Sequence, residues 1–132
     1  MTHILHQETG GTLSTQSGNW TPIPGLSITL PAVSGALNEA LIILNVPNPY
    51  ATGTDNPGGY FGISVDNAVL VPVACFTSFE KAPQSTGRVP TTLVVRIRLK
   101  NSDTQAINAV WQSVRSSNVI IDTPASLSAM IM

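Results

Sequence analysis

Charge is scarce in this 132-residue chain: six Lys and Arg stand against seven Asp and Glu, so 10% of positions are charged and the net charge is −1. A soluble domain normally carries about a quarter of its residues as charges. Ser, Thr, Asn and Gln must therefore supply the polar surface, and part of that surface is expected to be covered by copies of the chain itself. No basic run occurs, which removes the electrostatic footprint that holds a phosphate backbone and excludes a nucleic-acid partner. Cysteine is nearly absent. Cys75 alone can form no intrachain disulfide, and its setting VACF reads as a small buried core residue compatible with a reducing compartment.

The two histidines, His3 and His6, stand near the N-terminus on alternate faces of an expected strand, with no carboxylate at a spacing that would orient either. Neither is expected to act as a base or, without a Cys or Asp/Glu cluster beside it, as a metal ligand. CxxC, HExxH, GxSxG and GxxxxGK[ST] are all missing. The carboxylates are scattered, and Asp55 in GTDNPGG suits turn geometry better than calcium coordination, which needs several converging oxygens. Enzymatic chemistry and a metal or organic cofactor therefore have no residue set to rest on. No 18 apolar residues run together, and MTHILHQETGG has no basic segment followed by a long apolar one. Neither membrane insertion nor a signal peptide is expected, so synthesis is cytoplasmic and release or surface association would need another route.

Period-two patterning is what the chain does have. In Thr91 to Lys100, Leu93, Val95, Ile97 and Leu99 alternate with mostly polar neighbours, which reads as a half-buried strand. Val69 to Phe76 is apolar on both faces, which predicts a strand covered on both sides, with Pro72 marking an edge or bulge. Further strands are expected over Ile4 to Glu8, Trp20 to Leu30, Leu41 to Val46, Tyr60 to Val65, Ala106 to Val114, Val119 to Ile121 and Ser126 to Met130. A helix over Leu37 to Leu44 is the rival reading, since Leu37, Ala40, Leu41 and Leu44 share helical spacing. IILNVP favours the strand, because it runs on as a β-branched stretch into a proline turn. Short strands separated by Gly-, Pro- and Asn-rich turns predict one all-β domain spanning residues 1–132, a sandwich or jelly roll.

The loops between these strands are rich in hydroxyls, aromatic rings and lone arginines: PNPYATG at 47–53, PGGYFG at 57–62, CFTSF at 75–79, PQSTGR at 83–88 and WQSVRSSN at 111–118. Such groups suit a neutral polyhydroxylated ligand. A guanidinium fork meets vicinal hydroxyls with two donors, and Tyr and Thr add directional bonds while a ring packs on the sugar. The residues alone leave a second account open, in which Tyr50 and Tyr60 are core-edge aromatics and Arg88 and Arg115 ordinary surface cations.

Read in order, LNVPNPYATG, NPGGYFGI, ACFTSFEKAPQSTGRVPTTLV, WQSVRSS and IDTPASLSAM resemble the fucose-binding bacterial lectins with a tumour-necrosis-factor-like fold, typified by the N-terminal domain of the Burkholderia cenocepacia superlectin. The similarity runs from about Pro22 to the C-terminus. What it implies is a TNF-like jelly-roll protomer in a homotrimer, binding fucosylated oligosaccharides on cell surfaces in calcium-independent pockets between protomers. One wall would map to Tyr50, Ser85, Thr86 and Arg88, and the other, from the adjacent chain, to Tyr60, Thr77, Ser78 and Arg115. The arginines would hold hydroxyls and the ring oxygen, and the tyrosines would supply flat surface with a polar tip. Position 78 departs from the family pattern, which has a tyrosine there. The calcium-dependent domain that follows in the superlectin has no counterpart before Met132, so a stand-alone module is expected. The alternative function is a trimeric jelly-roll module that binds a protein receptor or serves as an assembly unit.

Overall fold

The computed structural model describes residues 3–33, 39–78 and 87–132, and no helix occurs among them. Twelve strands follow one another: β1 (His3–Glu8), β2 (Leu13–Thr15), β3 (Thr21–Leu30), β4 (Glu39–Val46), β5 (Tyr50–Thr52), β6 (Gly58–Val65), β7 (Ala68–Val69), β8 (Ala74–Thr77), β9 (Thr91–Arg98), β10 (Gln105–Val114), β11 (Asn118–Ile121) and β12 (Ser126–Ile131). One sheet has the order β1-β12-β4-β9, and the other runs β3-β10-β6-β7 with β8 also on β6. All pairings between these strands are antiparallel. The chain passes from one sheet to the other at β3 to β4, β4 to β6, β8 to β9 and β9 to β10, so sequence neighbours face each other across the core. This is a jelly-roll sandwich. A small sheet β2-β11-β5 closes one end.

Alternation decides what each strand buries. Along β4, Ala40, Ile42, Leu44 and Val46 have no exposed surface, and they meet Leu26, Leu30, Phe61, Ile63 and Ile107 of the opposite sheet in one apolar cluster. The strand reading of Leu41 to Val46 prevails over the helix, because only period two puts those four residues on one face. Leu37 and Asn38 lie outside the described residues. In β9, Val95 and Ile97 point inward as expected. The expected strand from Trp20 to Leu30 forms as β3, but its register against β10 shifts between Asn108 and Val110. Pro24 has no N–H for the ladder and Gly25 takes φ +88, so the shift falls where the sequence is least able to pair regularly.

Val69 to Phe76 does not form one strand covered on both sides. It divides into β7 and β8, with Pro72 in the gap, and Val71 is 94% exposed. A proline between β-branched residues removes the donor that continuous pairing with β6 needs. Cys75 is consequently exposed rather than buried. In β8 the inward position belongs to Phe76, whose ring stacks on Phe61 with centroids 5.5 Å apart.

On the outer face of the β1-β12-β4-β9 sheet, register aligns Ile4, Met130, Leu41 and Arg96 in one row and His6, Ser128, Ile43 and Val94 in the next. Ile4 and Val94 are exposed, while Leu41, Ile43 and Met130 are half-buried. The result is a mostly apolar strip on a solvent face.

Candidate functional site

Two close backbone approaches shape the end of the second sheet. A Cβ at Gly58 would lie 2.1 Å from the Phe76 carbonyl oxygen, and one at Gly59 would lie 2.6 Å from that of Gln112. Only glycine lets β8 and β10 come this near to β6. Beyond these glycines, the connection from β10 to β11 turns through Arg115 and Ser116 with φ 50 and 58, and the Ser117 amide donates to the Val114 carbonyl at 2.9 Å. Consecutive left-handed residues make a tight turn, a place usually filled by Asn, Asp or Gly. The β6–β7 turn follows that preference with Asp66 and Asn67. Arg and Ser in the same role are strained, and strain of this kind is retained where a side chain must be aimed.

The Arg115 side chain is aimed at the 53–57 loop. Its Nε donates to the Asn56 carbonyl at 2.9 Å and to that of Asp55 at 3.1 Å. A hollow of about 90 Å³ opens beside it, lined by Gly59, Tyr60, Cys75, Phe76, Thr77, Val114 and Arg115. Tyr60, Thr77 and Arg115, three of the residues singled out in the sequence, are thus brought together. No carboxylate lines this hollow. Cys75 belongs to it unexpectedly. Its register partner is Tyr60, and period two puts it on the same face once β8 is paired to β6.

Ser78 points elsewhere. It is 5% exposed, its Oγ accepts from the Ala51 amide at 3.2 Å, and its own amide donates to the Pro57 carbonyl at 2.7 Å. The hydroxyl therefore ties the chain just after β8 to β5, and the backbone amide ties it to the loop before β6.

A second group forms around Arg88. Its guanidinium carbon lies 4.2 Å from the centroid of the Tyr50 ring, a cation–π contact. Nη1 donates to Asp122 at 2.7 Å and to the Asn48 carbonyl at 3.1 Å, and Nη2 donates to the other Asp122 oxygen at 3.0 Å. This two-pronged bond from Arg88 holds the Asp122 carboxyl below its ordinary range, against the opposing effect of partial burial. The same bond raises Arg88. Tyr50 is 7% exposed, with the guanidinium over its ring. Ser85 and Thr86 lie outside the described residues. Asp122 was missed in the sequence because it lies 34 positions from Arg88 and no local spacing connects them.

The family model described as the Bc2l-C N-terminal domain matches residues 10–130. The chain belongs to that family. The Bc2l-C N-terminal domain match begins earlier than Pro22, so it takes in β2 and the approach to β3, and the family is one of lectin-type domains. No curated protein matches the chain. Among solved structures, dimeric latent PorU from Porphyromonas gingivalis is similar with a TM-score of 0.54 at 10% identity, over 98% of this chain and 12% of that one. The insecticidal delta-endotoxin Cry8Ea1 from Bacillus thuringiensis gives a TM-score of 0.45 at 12% identity, over 92% of this chain and 19% of that one. This member of the Bc2l-C N-terminal domain family thus spans less than a fifth of either protein, and the PorU likeness concerns the fold alone.

One polar cluster lies away from both groups and corrects the reading of the histidines. His6 has a carboxylate partner after all: its Nε2 is 2.9 Å from Glu8, two residues along the same strand face, and its Nδ1 is 2.7 Å from Ser128 Oγ. A hydroxyl, an imidazole and a carboxylate in line are the parts of a nucleophile triad. Here they lie on a sheet face where the backbone is engaged in β1–β12 pairing. The cluster links β1 to β12.

Proposed function

We propose that the chain is a lectin that binds fucosylated glycans without calcium, in sites shared between neighbouring protomers of a homotrimer. The observation that carries this reading is the separation of the candidate residues within one protomer. Tyr60, Thr77 and Arg115 surround the hollow, while Tyr50 and Arg88 form their own group with Asp122, and neither of the latter two lines the hollow. Each group is half of a sugar site: an arginine, a tyrosine and, in the hollow, a hydroxyl. Ser85 and Thr86 would join the Arg88 half. The uncharged hydroxyls of a sugar suit the absence of carboxylates in the hollow, since a bridging cation would require several. The apolar strip carrying Leu41, Ile43 and Met130 supplies a surface for neighbouring copies to cover.

A monosaccharide of about eleven heavy atoms at roughly 0.3–0.5 kcal/mol each gives about 3–5 kcal/mol, a millimolar-scale site strengthened by multivalent display. Calorimetry with methyl α-L-fucoside should give the same affinity with chelator and with added Ca²⁺. Sharing between chains has its own test. Arg88→Ala and Arg115→Ala should each abolish most binding, whereas co-refolding the two variants should restore it in mixed trimers, where some interfaces carry neither lesion. Mixed trimers that still fail to bind would place the site within one chain. Trimers that bind no glycan on an array would turn the reading to a protein receptor.

A further inference from the structure

The hollow continues onto the outer face of the second sheet. In β6, Phe61 and Ile63 are fully buried, so Tyr60 and Gly62 face outward. Register places Gln112 of β10 beside Tyr60 on one side and Cys75 of β8 on the other. Thr21 pairs with Trp111, which brings Trp20, just before β3, to the same level of the sheet. The Trp20 ring completes the row: its centroid is 6.2 Å from that of Tyr60, tilted by 59°. Trp20, Gln112, Tyr60 and Cys75 therefore cross the face in line, and the last two already line the hollow.

Gly62 is the seat of the indole. A Cβ there would lie 3.3 Å from both Cη2 and Cζ3 of Trp20, closer than an ordinary contact, so the missing side chain lets the ring lie down on the sheet. Trp20 remains half-exposed, whereas Trp111, the other tryptophan, is 2% exposed in the core. A partly exposed indole beside an amide is a chemical pair suited to a pyranose. The ring takes the C–H face of the sugar, and the amide offers two donors and an acceptor to its hydroxyls.

We infer that Trp20 and Gln112 form a second subsite for the sugar residue linked to the one held in the hollow, so that the chain selects oligosaccharides over the monosaccharide. The inference rests on the lectin reading above, and its occupant follows from continuity: the subsite shares Tyr60 with the hollow, within reach of a residue adjoining the sugar held there. Trp20 then discriminates by contact area, and Gln112 by the position of a hydroxyl.

Calorimetry with methyl α-L-fucoside and with a trisaccharide ending in α-L-fucose tests this. The wild-type protein should bind the trisaccharide roughly fivefold tighter. Trp20→Ala should bring the ratio of the two affinities close to one, and Trp20→Phe should retain part of it. Acrylamide quenching of tryptophan emission gives a readout that needs no variant: the trisaccharide should protect the half-exposed Trp20, and the monosaccharide should not. If neither ligand binds, the lectin reading of the hollow falls and the subsite with it. If the fucoside binds but the ratio survives in Trp20→Ala, or the trisaccharide leaves Trp20 open to the quencher, the subsite alone is refuted.

Discussion

Arg88 and Asp122 act on each other before they can act on any ligand. Their side chains are 19% and 26% exposed, so the pair is partly shielded, and two parallel N–H···O bonds fix the guanidinium plane over Tyr50. Asp122→Asn should cost about 1 kcal/mol in urea denaturation at neutral pH, a value already reduced for solvent screening. The pH dependence has a definite sign. Because the fold lowers the Asp122 pKa from its ordinary 3.8, the unfolded chain takes up the proton first as the solution is acidified. The stabilisation is whole above that value and is lost as pH falls below it through the lowered folded value. Wild type and Asp122→Asn should therefore differ in unfolding midpoint at pH 7 and converge in strong acid. A gap that widens on acidification would contradict the pairing. Cys75 offers a simpler check: being exposed on β8, its thiol should react with a chromogenic disulfide in the folded protein, and reaction only after denaturation would restore the buried reading.

Strand β6 places Tyr60 within reach of β8 and β10 because glycines precede it. Gly58→Ala should cost more than about 2 kcal/mol and disturb the β6–β8 pairing that forms the hollow, since the new methyl would fall on the Phe76 carbonyl, which is backbone and cannot swing aside. Gly10→Ala, with nothing within 4 Å of the added Cβ, serves as the control, and equal thermal midpoints for the two variants would refute the close approach. The β10–β11 turn makes the opposite prediction. Ser116→Gly should raise stability by about 0.5–1 kcal/mol, because glycine accepts the left-handed conformation that Ser116 holds at φ 58. Calorimetric unfolding will show whether the strain is real, and an unchanged midpoint would deny it.

Assembly is proposed from the strip on the β1-β12-β4-β9 sheet, and light scattering should give three times 13.9 kDa. Ile43→Asp, at the centre of the strip, should yield smaller species that retain the β-sheet circular dichroism of the wild type, because the residue faces out from β4 while Ile42 and Leu44 fill the core. A trimer undisturbed by that charge would move the interface elsewhere. The all-β class, most strand positions and the inward faces of β4 and β9 were legible in the sequence, because period two is a local property of the chain. Of the four residues that the family blocks grouped, Tyr60, Thr77 and Arg115 line one hollow, while Ser78 bonds to β5 instead. Other features depended on which strands lie side by side. Cys75 was misread because an apolar run has the same appearance whether it is continuous or broken at Pro72, and only the pairing with β6 turned the thiol outward. Asp122 met Arg88, Glu8 met His6 and Ser78 met the Ala51 amide through contacts among side chains, strands and loops that composition and motif spacing did not express. The sequence by itself determined which positions alternate between the two faces of a strand and which loops carry hydroxyls, rings and arginines. The tertiary structure decided which of them stand together, because register and strand order set distances between residues that are far apart in the chain.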